Sequence, residues 1–514
     1  MSAERHVRRK WVPIALAIIA AAGAALAFYA TSQGIGTEVD SATYLMAARS
    51  LVAGRGLSLP VAGSEQGVPM TGFPPLLPVA LAAIGYIGIE PLAGARWLNI
   101  ALLGADIFLL SILVRRYTRS DPAAIFSGLL LATTVDVLVS HCMLVSEPLF
   151  LCFTLAGLIA MAGYIDAPTL PLLFTFSAAF AAAGLTRYIG VSLLPIGAGA
   201  IAFSPEPLRL RRVHLGVYMG VFAFPLFVWV MRNRLMVRAF TNRSVAFHPP
   251  GLGRFLYSYF NLSTWLLPAA FPALIRVMIL TAALVLTLRP LWQKAPEAGS
   301  QRARWQMDRL LIAFLCSYIC GFLVTQTFFD AQIWIAGRHL LLVYVIGSAV
   351  VISQSEQLLH FAGSALRVTC LCLCLALLGL GTLRTTRNAL KAHREGIGFS
   401  SRRWQDSELI AKTAGLDNRV PIITNSRAVV YLRTGKVAYA LPSRVNSQTD
   451  RLDPQYASES AWVSDELQRH GAVIVYFTVF QPGQFVAPAE DSFETLLGLR
   501  RLVTTREGYM LARF

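Results

Sequence analysis

The chain has 514 residues, 55% of them hydrophobic and only 14% charged, with a net charge of +17. Soluble domains usually carry about 25% charged residues, so this composition excludes an ordinary soluble enzyme and points to a polytopic membrane protein. The basic residues fall in short clusters between apolar runs, as topology signals do. No basic face with interleaved aromatics appears, which argues against a nucleic-acid partner.

Arg5, His6, Arg8, Arg9 and Lys10 precede an apolar stretch from Trp11 to Ala30. That stretch is longer than the apolar region of a signal peptide, so it predicts a retained first helix with its basic flank in the cytoplasm. A span needs about 20 apolar residues. The pattern predicts spans at roughly 12–31, 95–114, 122–141, 146–165, 169–186, 188–204, 213–231, 271–288, 310–329, 338–353 and 361–382. The expected fold class is therefore mainly α, with about eleven transmembrane helices. Three connections expected on the inner side are basic: Arg115, Arg116 and Arg119; Arg209, Arg211 and Arg212; and Arg289 to Arg309. One connection expected outside is basic too, with Arg232, Arg234, Arg238, Arg243 and Arg254. Residues 32–94 read as a long first outer loop lying on the membrane. Its two apolar stretches, 41–53 and "FPPLLPVALAAIGYIGIEP" (73–91), read as interfacial helices. After about residue 384 polar residues return. The tail alternates helical and strand patterns, "SRRWQDSELIAKTAGL" and "AWVSDELQRHG" against "RVPIITN", "AVIVYFTVF" and "EGYMLARF". This predicts a small α/β domain at 384–514, outside the membrane, after a transmembrane domain at 1–383.

Seven cysteines lie in or beside apolar runs with no zinc-like spacing. They read as small buried hydrophobes, with no disulfide and no cysteine metal site.

Four stretches carry candidate chemistry. Glu38 and Asp40 sit where the first apolar run ends. A carboxylate at the lipid–water boundary is partly desolvated and suited to act as a base or to hold a cation, although a solvated loop start needs no function. Glu147, in "SHCMLVSEPLFLCF", opens an apolar run. An acid there faces a cavity or partner, or simply favours a helix start. Arg187, in "GLTRYIGVSLLP", and Arg338 with His339, in "WIAGRHLLLVY", fall on the same expected outer face. An arginine at a span end can snorkel, but a guanidinium also pairs naturally with phosphate. Acids and arginines at one bilayer face suit a lipid-phosphate substrate.

These residues carry a resemblance. Its order is "DSATYLMAARSL" with Asp40, Tyr44, Ala47 and Leu51, "GFPPLLP" at 72–78, Arg96, "VSEPLF" at 145–150, "LTRYIG" at 185–190 and "GRHLLLVY" at 337–344. Over about residues 12–350 the chain resembles polytopic glycosyltransferases of the GT-C superfamily. The likeness is to the protein mannosyltransferase-like group that includes the bacterial lipid A aminoarabinose transferases. The resemblance implies transfer of a sugar from a polyprenyl-phosphate carrier to a lipid, glycan or protein acceptor outside the cytoplasmic membrane, with inversion. Asp40 matches the first-loop base and Glu147 the second acid, which helps build the site or hold a divalent metal. Arg338 matches the arginine near the carrier phosphate, and His339 stands where tyrosine is commoner. Arg187, Tyr44 and Glu38 complete the expected substrate-binding set. No nucleotide is needed and no cofactor is fixed by the sequence; a divalent metal is left open. The alternatives are a lipid or glycan transporter, which would show an inverted repeat, a non-catalytic scaffold, and a transferase using a pyrophosphate carrier.

Overall fold

The computed structural model describes residues 2–513 apart from 242, 250, 298, 332, 334, 335, 447, 450 and 480–498. The first apolar run forms α1 (Ser2–Ala30). A long connection follows, with α2 (Val39–Val52), a hairpin of β1 (Ser58–Val61) and β2 (Ser64–Pro69), and α3 (Leu76–Tyr86). α3 has 11 residues, about 16 Å of helix, too short to cross a bilayer of about 30 Å. α2 and α3 instead share a core with Leu45, Ala48, Leu77 and Leu81, so the connection is a folded layer.

α4 (Pro91–Thr118) opens on a proline, and the Glu90 carboxylate accepts from the N–H groups of Leu92 and Ala93 at 2.8 and 3.0 Å. The acid satisfies two of the free donors at the helix start. The span expected at 122–141 is broken into α5 (Asp121–Ala132) and α6 (Val135–His141), bent by 64°. The break has a local cause. Thr133 and Thr134 hydroxyls bond back to the Leu129 and Leu130 carbonyls, while the Thr133 carbonyl turns out to accept from Thr385. α7 (Glu147–Asp166) is continuous. α8 (Leu170–Thr186) stops at Arg187, whose backbone is extended. A 3-10 turn at Tyr188–Leu193 and α9 (Leu194–Ala202) return through the bundle.

Then come α10 (Leu208–Val237), α11 (Leu252–Leu266), α12 (Ala273–Leu288), α13 (Ser300–Phe328), a 3-10 turn at Gly337–Leu340 with α14 (Leu341–Phe361), and α15 (Ser364–Glu395). Each of the eleven expected spans falls on a helix or a broken helix pair. Among the described residues eight helices are long and apolar enough to cross a membrane, or nine with the bent pair. The segments expected at 169–186 and 188–204 are apolar helices too, but the break at Arg187 leaves each shorter than a full span. α15 runs unbroken through 383–384 to Glu395.

The tail contains α16 (Arg402–Gln405), α17 (Glu408–Ala414), β3 (Ile422–Thr424), α18 (Arg427–Thr434), β4 (Tyr439–Ala440), β5 (Val445–Asn446), β6 (Arg451–Leu452), α19 (Tyr456–Arg469), β7 (Val473–Phe477), β8 (Arg500–Thr504) and β9 (Gly508–Ala512). A five-stranded mixed sheet has the order β4-β3-β7-β9-β8, with β3 parallel to β4 and β7. This is the small α/β unit expected, with α18, β4, β5, β6 and β8 as elements the sequence pattern did not single out. Phe480, the last residue of the expected strand "AVIVYFTVF", lies outside the described residues. The unit docks on the α2 layer. Phe399 N–H donates to the Thr37 carbonyl at 2.8 Å, and Ala428 and Tyr431 join the core under α2. Gly398 has φ +58°, and a Cβ there would stand 2.2 Å from the Thr37 carbonyl oxygen. Only glycine permits that approach.

Candidate active site

Four separate pieces of chain build one charged cluster. The first is the start of α2. Glu38 caps the helix, its N–H donating to Ser41 Oγ at 2.9 Å. Asp40 lies in the first turn, where the helix dipole favours an acid. Tyr44 follows one turn later, on the same face.

The second piece is the turn 142–146, which joins α6 to α7 and lies against residues 35–41. Gly36 and Met143 form a parallel bridge, with Gly36 N–H to Cys142 O and Leu144 N–H to Gly36 O both at 2.8 Å. Ser41 Oγ donates to Leu144 O at 2.6 Å and Tyr44 Oη donates to Ser146 Oγ at 3.2 Å. Glu147 follows at the start of α7, 1% exposed.

The third piece is Arg187, where the break after α8 frees the side chain. Its Nη1 meets Glu147 Oε1 at 2.5 Å and donates to Ser146 Oγ at 2.9 Å. The fourth is Arg338, in the 3-10 turn before α14. Its guanidinium pairs with Glu38 and Asp40, and its Nε lies 3.4 Å from Glu147 Oε1.

Six of the expected site residues thus meet: Glu38, Asp40, Tyr44, Glu147, Arg187 and Arg338. His339 is next to the cluster. Its ring packs against Phe322 with centroids 5.1 Å apart, and its carbonyl accepts from Tyr318 Oη at 3.2 Å. Ser146, which bridges Tyr44 and Arg187, was not singled out from the sequence. A serine just ahead of an acid that opens an apolar run was the available signal.

Three carboxylates face two guanidiniums here. Glu147 Oε2 and Arg187 Nε are buried without a hydrogen-bond partner. Burial pushes the Glu38 carboxyl up to about 7; Arg338 opposes the rise, and Asp40 and Glu147 add to it. Burial, with Asp40 nearby, also raises the Tyr44 phenol well above its usual range, so Tyr44 stays a neutral donor. Among the described residues no three His, Cys, Asp or Glu side chains are arranged to hold a metal ion. The three acids each face Arg338.

Three of the arginines that make the 232–254 connection unusual are engaged with other parts of the chain. Arg232 donates to Met70 O at 2.7 Å and Leu57 O at 3.0 Å. Arg243 pairs with Asp330, and Arg254 donates to Ala331 O at 2.8 Å. They fasten the two ends of the β1–β2 hairpin, at Leu57 and Met70, and residues Asp330 and Ala331.

No family model matches the chain, and no curated protein matches its sequence. Solved structures do. ArnT from Cupriavidus metallidurans bound to undecaprenyl phosphate superposes with a TM-score of 0.53 at 13% identity, over 96% of this chain and 97% of that one. The apo state of the same protein gives 0.52 at 14% identity, over 98% of each chain. The archaeal oligosaccharyltransferase AglB from Archaeoglobus fulgidus, in complex with an inhibitory peptide and a dolichol-phosphate, gives 0.52 at 11% identity, over 91% of this chain and 69% of that one. From its α bundle through its terminal α/β unit, the chain has the GT-C-like polytopic membrane fold.

Proposed function

We propose that the chain is a membrane glycosyltransferase that moves a sugar from a polyprenyl-phosphate carrier to a lipid, glycan or protein acceptor, at the outer side of the cytoplasmic membrane. The observation that carries this is the meeting of Asp40, Glu38 and Glu147 with Arg338 and Arg187 at one end of an apolar bundle. Sidedness is supported by the other end. The connections with Arg115 and Arg116, with Arg209 to Arg212, and with Arg289 to Arg309 all lie opposite the site, as cytoplasmic loops rich in Lys and Arg do. The terminal α/β unit lies at the site end and would also be outside.

Asp40 is the general base. It accepts the acceptor's proton while the acceptor oxygen or nitrogen attacks the anomeric carbon, and the bond from that carbon to the phosphate oxygen breaks with inversion. Such base assistance is worth about 10²–10⁴ in rate. Arg338 and Arg187 receive the charge that develops on the departing polyprenyl phosphate. Glu147 holds both arginines at the site, and Glu38 shares Arg338 with Asp40. A guanidinium presents five donors, so an incoming phosphate competes with Asp40 for Arg338 and leaves the base free for the acceptor.

The test is mass spectrometry of lipid extracts from cells carrying wild-type protein, Asp40→Asn protein or none. One polyprenyl-phosphate sugar accumulating in both the null and the Asp40→Asn cells, at normal protein level, supports the reading and names the donor. Accumulation in the null alone removes Asp40 as the base. An unchanged lipid pool in all three removes the transferase reading.

A further inference from the structure

One buried ionisable pair takes no part in the chemistry above. Asp106 of α4 and His141 of α6 are fully buried, with Asp106 Oδ2 3.0 Å from His141 Nε2. His141 Nδ1 lies 2.8 Å from the Val137 carbonyl. A carbonyl only accepts, so Nδ1 carries a proton. One further proton therefore lies between Nε2 and Oδ2. The pair is either a neutral acid donating to a neutral imidazole or a carboxylate accepting from an imidazolium. Both forms sum to zero charge, which the interior of an apolar bundle tolerates.

The place of the pair gives it a task. α6 has only seven residues and is bent away from α5. It leads straight into 142–146, the turn on which the site is assembled. α4 grips this chain at two levels. Asn99 Nδ2 donates to Met143 O at 2.6 Å, and two turns further along the same helix Asp106 holds His141. From there Leu144 is held by Ser41, Ser146 touches Tyr44 and Arg187, and Glu147 meets the arginines.

We infer that Asp106 and His141 are a positioning pair for the site: their shared proton fixes the broken half-helix so that Ser146 and Glu147 arrive in register with Arg187 and Arg338. The inference rests on the transferase reading for its activity readout but not for its structural one. Neither residue touches the reacting atoms. Misplacement of a catalytic set by about 1 Å costs on the order of 100-fold in rate, so the pair need only shift the turn slightly to matter.

The experiment uses the full-length protein in its membrane, with Asp106→Leu, Asp106→Asn and His141→Leu. Asparagine can donate to neutral Nε2, so Asp106→Asn keeps the bond without an ionisable acid, whereas leucine removes it. The first readout is alkylation of Cys142, next to His141 and buried, followed by peptide mass spectrometry, with labelling of the same cysteine after denaturation as the reference. The second is transfer kinetics. Cys142 labelling is expected to rise in both leucine variants and stay low in Asp106→Asn. kcat is expected to fall on the order of 10–100-fold in the leucine variants without a rise in carrier KM, and to stay within about threefold in Asp106→Asn. Two leucine variants keep the test open if one does not accumulate. Protected Cys142 in whichever leucine variant is recovered overturns the inference. So does an Asp106→Asn protein that behaves like Asp106→Leu. Exposed Cys142 in the leucine variants of a protein whose wild type transfers no sugar supports the positioning pair and defeats the transferase reading alone.

Discussion

The bundle has a buried charge cluster at each end, and the two are built differently. At the end away from the site, Arg304 donates to Ser353 Oγ at 3.0 Å and pairs with Glu356 at 2.6 Å, while Asp308 accepts from Ser353 and Gln354 at 3.0 and 2.7 Å. These residues belong to α13 and α14, two helices joined in sequence and packed side by side, and Arg289 and Gln293, just after α12, add donors to Gln354 at 2.8 and 3.2 Å. The site end draws on residues 38–44, 146–147, 187 and 338, which meet only through tertiary structure. It sets three acids against two arginines, whereas the far end has Asp308 and Glu356 with Arg304 and Arg289; both ends keep buried polar atoms without hydrogen bonds, at Glu147 and Arg187 here and at Asp308 there. A network between neighbouring helices zips them together. A cluster gathered from four segments, with unmatched charge, is poised for a ligand.

The strongest way to break this contrast is at the proposed base. Asp40→Asn is expected to lower transfer by about 10²–10⁴-fold with little change in protein level, because Asp40 stays partly exposed and its loss still leaves Arg338 with Glu38 and Glu147. Transfer by purified protein in lipid vesicles measures this. A tenfold or smaller loss would move the base elsewhere in the cluster.

Next comes Glu147→Gln. Glu147 is buried against Arg187, so the substitution strands a buried positive charge. Breaking such a pair costs about 3–5 kcal/mol, and both thermal stability in micelles and transfer are expected to fall. At the other end Arg304→Met removes donors to Ser353 and Glu356 and leaves half-exposed Glu356 open to water. A loss of about 1–3 kcal/mol is expected, with transfer per folded molecule unchanged. If Arg304→Met cut turnover as Glu147→Gln does, the two clusters would not differ in kind.

How much of this could be read from the chain follows the same divide. The apolar runs announced the bundle because burial in lipid demands long uninterrupted hydrophobic segments. Glu38, Asp40, Glu147, Arg187 and Arg338 stood out because charge at the edge of such a run is costly unless it is used. Hydrophobicity does not encode continuity, however. Whether 122–141 and 169–204 are straight depends on where threonine hydroxyls compete for carbonyls and where Arg187 must turn toward Glu147. Ser41 and the Asp106–His141 pair were not legible for another reason, and Ser146 carried only its place ahead of Glu147. Their partners lie about 35 to 103 positions away, and a lone serine or histidine carries no periodic signal.

Glu38 offers the smallest and finest test of the contrast. Its carboxyl sits near 7 in the folded chain against an ordinary value of 4.5. Between those values the folded protein keeps a proton that the unfolded chain has released, so stability falls as pH rises through this window. Below about 4.5 both states are protonated and the effect vanishes. Glu38→Gln cannot ionise and removes the slope. The thermal midpoint of wild type, measured relative to Glu38→Gln, is therefore expected to drop between pH 5 and pH 8, modestly, because Glu38 keeps some contact with water and exposed pairs are screened. Parallel curves would mean that Arg338 holds Glu38 ionised throughout. The site end would then be a fixed ion network like the one at the other end, and its excess acid would have to be explained by something other than readiness for a ligand.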